Sequence, residues 1–137
     1  MVITMAFDVP IGIVCKDEFI TKEEHSAKVI GSGDVEVLST PSMILFMEIS
    51  SWKCIQKYLP EEYTTVGIKI CVEHKAPAPI GDRILIETKL DAVEERKLIF
   101  YVKALWKDKV IGEGIHERYI VNRQRFINKV KRMISKN

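Results

Sequence analysis

Three side chains stand where chemistry could be done: a hydroxyl at Thr40, a carboxylate at Glu48 and an imidazole at His74. Glu48 directly follows Met43-Ile44-Leu45-Phe46-Met47, a run that is apolar on every side of a helix. An unpaired carboxylate in such surroundings either takes up a proton or destabilises the fold. It therefore reads as a working acid or base, or else as an edge residue facing solvent or a distant Lys or Arg. His74 continues the parity of Val66, Ile68, Ile70 and Val72, so it is expected on the apolar face near a strand end. It is either functional or a rim histidine satisfied by a backbone carbonyl. Thr40 is fully explained as a helix N-cap. Yet a carbonyl placed at that helix start would be polarised by the unpaired N–H groups there, and a developing oxyanion stabilised.

The elements that must position these groups follow from the spacing. Thr40 and Pro41 open a helix that runs from Ser42 to about Tyr58, with no glycine inside it and Leu59-Pro60 closing it. Its first two turns are expected to be buried all round. From Thr64 the period changes to two, and Pro77 and Pro79 close the strand. Further strands are expected at Arg83 to Val93, Leu98 to Trp106 and Val110 to Val121, joined by a Glu94-Glu95-Arg96-Lys97 turn and an Asp108-Lys109 reversal. These connections are too short for parallel crossovers, so the sheet is an antiparallel meander. Residues 1–39 offer one strand, near Lys16 to Thr21, and a Gly31-Ser32-Gly33-Asp34 turn that lacks the pattern of a phosphate cradle. A last helix, from Asn122 to Asn137, carries Phe126, Val130 and Ile134 four apart. One buried helix and one large sheet cover each other's apolar faces only if the sheet curls around the helix. The expected class is α+β, a hotdog fold with a long central helix wrapped by a curved antiparallel sheet, in a single domain over residues 1–137.

Charge and composition exclude several functions. The chain carries 21 basic and 19 acidic residues, and 47% of it is hydrophobic. Its longest uncharged run, Val37 to Met47, is far short of the ~18 residues of a membrane span, and no basic residue precedes the N-terminal apolar stretch as a secretory signal requires. Cys15, Cys54 and Cys71 are odd in number and lack CxxC spacing, which disfavours a disulfide framework and a zinc site and makes the cytoplasm the expected compartment. His25 and His116 show no ligand spacing with His74, so no metal is expected. Residues 122–137 hold six basic side chains and no acidic one, but no interleaved aromatic platform for bases. Neither nucleic acid nor a membrane is expected as a partner.

The stretch from Thr40 through Glu48, then Gly67, Ile70-Cys71-Val72-Glu73-His74, Gly112-Glu113-Gly114-Ile115-His116-Glu117-Arg118 and Arg125-Phe126-Ile127-Asn128-Lys129-Val130 resembles the hotdog thioesterases of the fluoroacetyl-CoA thioesterase type. The resemblance runs from about residue 10 to residue 130. It implies a Thr/Glu/His catalytic set on Thr40, Glu48 and His74, and substrate contacts at Gly67 and Arg118. It implies hydrolysis of a short-chain acyl-CoA to free acid and coenzyme A without a cofactor, in a homodimer or dimer of dimers whose paired helices flank interfacial active sites. The alternatives are a hotdog acyl-CoA hydratase or dehydratase, and a non-catalytic acyl-CoA-binding module.

Overall fold

A computed structural model describes residues 7–135. The strand β1 (Val14–Ile20) leads through a 3-10 turn at Glu23–His25 and the one-turn helix α1 (Ala27–Ile30) to the long helix α2 (Thr40–Gln56). Four strands follow, β2 (Tyr63–His74), β3 (Arg83–Glu94), β4 (Lys97–Trp106) and β5 (Lys109–Asn122), and then helix α3 (Arg123–Ser135). All strand pairs are antiparallel and the order is β1-β3-β4-β5-β2, which leaves β2 at an edge. The sheet wraps α2, whose Met43, Phe46, Met47 and Ile55 are buried against Ile86, Phe100, Ile111 and Ile120 of the sheet. Each such side chain stabilises the fold by roughly 1.5–3 kcal/mol.

The expected elements are present, but the meander holds only for β3, β4 and β5: β2 pairs with β5 at the far edge and β3 pairs with β1 instead, because the connection from β2 to β3 crosses the sheet rather than turning back in a hairpin. Ser39, not Thr40, caps α2: its backbone is extended and its Oγ accepts from the Ser42 amide at 3.1 Å, so Thr40 is already inside the first turn. The β4–β5 reversal is made by Lys107 and Asp108, both at positive φ, rather than by Asp108-Lys109. Asn122 caps α3 through its Oδ1, which accepts from the Arg125 amide at 3.1 Å. The last two residues expected in that helix lie outside the described range.

Two corrections bear on the site. The alternation in β2 is broken by a register shift between Gly67 and Lys69. Thr65 and Gly67 therefore share the inner face with Ile120 and Arg118, and past the shift Ile70, Val72 and His74 take it up. Val66 stands opposite Tyr119 on the outer face and Ile68 sits in the irregularity, half exposed, so neither shares His74's face as the plain alternation predicts. One extra residue in a strand reverses every side chain beyond it.

Cys15 and Cys54 form a disulfide, with Cα atoms 5.9 Å apart, leaving Cys71 as the free thiol. The bond clips β1 to the C-terminal half of α2. An odd cysteine count does not exclude one pair, because pairing depends on the approach of two backbones in space and not on sequence spacing.

Candidate functional site

The start of α2 and the end of β2 meet at the first cluster. Because Ser39 takes the capping role, the Thr40 hydroxyl is free to reach across, and Thr40 Oγ1 lies 2.7 Å from His74 Nδ1. His74 is partly buried, and burial lowers its pKa below the usual histidine value, opposed by the Ala76 backbone. Its Nε2 is buried and makes no hydrogen bond to the protein. An imidazole with one nitrogen engaged and the other buried without a protein partner is prepared to exchange a proton with an incoming group.

The second cluster lies further along α2. Glu48, with its side chain 43% exposed, places Oε2 at 3.9 Å from Nη1 of Arg118, which is only 8% exposed. Arg118 donates from Nε to Thr65 Oγ1 at 2.7 Å, from Nη2 to the Thr65 carbonyl at 3.0 Å and from Nη1 to His116 Nε2 at 3.1 Å. Gly67, directly opposite Arg118 in the ladder, is where the carboxylate lies against the sheet: a Cβ there would sit 2.9 Å from Glu48 Oε2 and 3.5 Å from Arg118 Nη1. Glu48, Gly67, Ile68, Lys69, Ile70 and His116 line a cleft of about 240 Å³.

Of the five site residues read from the sequence, the structure brings Thr40 to His74, and Glu48 to Gly67 and Arg118. Among the described residues no hydrogen bond or ion pair joins the two groups. Thr40 and Glu48 stand eight positions apart on α2, a rise of about 12 Å, so the two clusters lie apart within one chain. The sequence reading left His116 without a role. It is 1% exposed, and its Nδ1 lies 2.8 Å from the Lys69 carbonyl. Burial, and secondarily the Arg118 charge, lower its pKa, opposed by the Lys69 carbonyl and Glu48. The available signal was its parity with Gly112, Gly114 and Arg118 along one strand. Among the described residues no group of three or more His, Cys, Asp or Glu side chains is placed to hold a metal ion.

A profile of the fluoroacetyl-CoA-specific thioesterase family matches residues 21–124. The fluoroacetyl-CoA thioesterase of Streptantibioticus cattleyicolor is 33% identical over 96 residues, covering 70% of this chain and 69% of its own. A solved fluoroacetyl-CoA thioesterase superposes with a TM-score of 0.85 at 26% identity, over 91% of this chain and 97% of that one. A thioesterase superfamily member from Thermus thermophilus superposes with a TM-score of 0.86 at 23% identity, over 94% and 96% of the two chains, and shows the fold. Helix, sheet and matches together define a hotdog-fold thioester hydrolase. Within that class, the chain belongs to the fluoroacetyl-CoA-specific thioesterase family.

Proposed function

We propose that this protein hydrolyses a short-chain acyl-CoA thioester to free acid and coenzyme A, with Thr40, Glu48 and His74 as its catalytic set and Gly67 and Arg118 around the reacting group. The observation that carries the reading is the buried, unpartnered Nε2 of His74 backed by Thr40 on Nδ1. With Nδ1–H donating to the Thr40 hydroxyl oxygen, the neutral ring keeps a lone pair on Nε2, directed at substrate. Glu48 takes a proton from water as the oxygen attacks the carbonyl and passes it to His74 Nε2; the C–S bond breaks and the imidazolium protonates the departing thiolate, which returns both groups to their starting states. If Glu48 attacks directly, the thiolate leaves from a mixed anhydride of Glu48, and water deprotonated by His74 hydrolyses that anhydride while the imidazolium protonates the thiolate. Arg118 faces the carboxylate and the developing negative charge.

The two separate clusters support a homodimer. Leu45 and Trp52 lie seven apart on one stripe of α2 and are 45% and 40% exposed, although the apolar run predicts a helix covered all round. Ile68 and Ile70 of the edge strand β2 are exposed as well. Two α2 helices packed side by side and antiparallel would cover this stripe. They would also bring Glu48 of each protomer toward Thr40 and His74 of the other, closing the separation of about 12 Å along one helix. Residues 1–137 would act as one domain in this assembly.

Residues 20–45 contain no Phe, Tyr or Trp, so aliphatic side chains of that segment would border the acyl group. Acyl-CoA metabolism supports a cytoplasmic location, whereas the Cys15–Cys54 bond is unusual in a reducing compartment; trapping free thiols in fresh lysates would separate the two.

The test is release of free thiol from acetyl-, fluoroacetyl-, propionyl- and butyryl-CoA. Glu48→Gln and His74→Ala are each expected to lose about 10²–10⁴-fold in kcat. Full activity in Glu48→Gln would remove this mechanism. Hydration of an enoyl-CoA without thiol release would point to a hydratase, and binding without turnover to an acyl-CoA-binding module.

A further inference from the structure

His116 is a buried imidazole that the proposed reaction does not use, and its two neighbours leave it a single protonation state. The Lys69 carbonyl can only accept, so Nδ1, 2.8 Å away, carries the proton. The Arg118 guanidinium can only donate, so Nε2 receives Nη1–H at 3.1 Å through its lone pair. Lys69 lies on the far side of the β2 irregularity from Gly67, so a backbone carbonyl beside the bulge orients the ring. The ring in turn fixes the third corner of a guanidinium whose other two are fixed by Thr65.

Resting on the thioesterase reading, we propose that His116 is a positioning residue for Glu48. By engaging Nη1 of Arg118 it holds the guanidinium 3.9 Å from the Glu48 carboxylate, close enough to orient it and too far to occupy its lone pairs. Without this acceptor, a buried N–H of Arg118 is left unsatisfied, and the nearest group able to receive it is the carboxylate itself. Arg118 then closes on Glu48 as a direct charge-assisted bond, and the acid is drawn away from water and thioester.

Two substitutions separate the two nitrogens. An Asn side chain at this position reaches only to the Nδ1 site and keeps a donor for Lys69. A Gln reaches to the Nε2 site and keeps an acceptor for Arg118. His116→Asn is expected to lower kcat on the best acyl-CoA about 10- to 100-fold while KM stays within about threefold. His116→Gln is expected to retain kcat within about threefold of wild type, and neither loss is to follow the melting temperature. Wild-type kcat in His116→Asn, an equal fall in both variants, or losses that track the melting temperatures would each overturn the proposal. Nitrogen-15 NMR of the wild-type chain reads the relay without any substrate: His116 is expected neutral with the proton on Nδ1 at pH 7.5. A ring protonated on Nε2 overturns the inference even in an active enzyme. A chain that shows the expected ring but hydrolyses no acyl-CoA fails the thioesterase reading, and the role assigned to His116 in it, while keeping the His116–Arg118 contact.

Discussion

Ser39 and Thr40 are neighbours with similar hydroxyls and opposite tasks. Ser39 Oγ satisfies a helix N–H, whereas Thr40 Oγ1 reaches His74. Ser39→Ala is therefore expected to cost about 1 kcal/mol of stability and to leave kcat per folded molecule nearly unchanged. Thr40→Ala should do the reverse, lowering kcat roughly 10- to 100-fold with the melting temperature preserved. Denaturant unfolding and thiol release on the same preparations check both. The histidines add a pH dependence. Burial lowers the pKa of His74 and of His116 below the ordinary histidine value in the folded chain. The unfolded chain thus binds more protons between the folded and unfolded values, and stability rises with pH across that window. Their contribution is complete above about pH 6.5 and is lost as pH falls through the lower folded values. Melting temperatures recorded from pH 7.5 down to 5 should decline, and His116→Gln should flatten part of that decline. A flat wild-type profile would contradict the assignment.

At the scale of elements, two glycines on facing strands show how tightly β2 and β5 are set against different neighbours. A Cβ at Gly67 would meet the flexible end of Glu48 at 2.9 Å. A Cβ at Gly114 would meet the Cys71 carbonyl oxygen at 2.1 Å and Val72 Cα at 2.6 Å, both backbone. A carboxylate can swing aside, but a paired strand cannot without losing its ladder. Gly67→Ala should therefore fold with near-wild-type stability and lose activity, because Glu48 is displaced from the cleft it lines. Gly114→Ala should lose about 1–3 kcal/mol or more whatever its activity. Chemical denaturation of both variants beside their kcat values distinguishes a displaced acid from a forced strand.

For the whole molecule, the uncovered stripe of α2 and the open edge at β2 are two features that a single chain leaves exposed among the described residues. An exposed edge strand with apolar side chains invites a partner, and the separation along α2 of Glu48 from Thr40, and so from the His74 that Thr40 contacts, is what a partner would close. Leu45→Glu places a charge in the middle of that stripe without touching either cluster. Sedimentation is expected to show a dimer for the wild type and a monomer for this variant, with thiol release falling in parallel. A fully active monomer would show that a single chain completes the reaction.

Much of this arrangement was legible in the residues alone. The change of period near Thr64, the Glu94–Lys97 turn and the Asn122 cap are local features, determined by backbone and side-chain preferences over a few residues, and they lie where the sequence places them. Glu48 stood out for the same reason, as a charge closing an apolar helical run. The rest was decided only in three dimensions. Ser39 or Thr40 could each have capped α2, and the choice left Thr40 for His74. One additional residue at the Gly67–Lys69 shift turned Ile68 away from the inner face, and the pairing of Cys15 with Cys54 joined positions 39 apart in sequence. His116 looks like any other strand histidine until Lys69 and Arg118 close on its two nitrogens. Periodicity reports which way a side chain points along its own element; which groups it meets depends on register between elements, and a shift of a single residue changes that without altering composition or propensity.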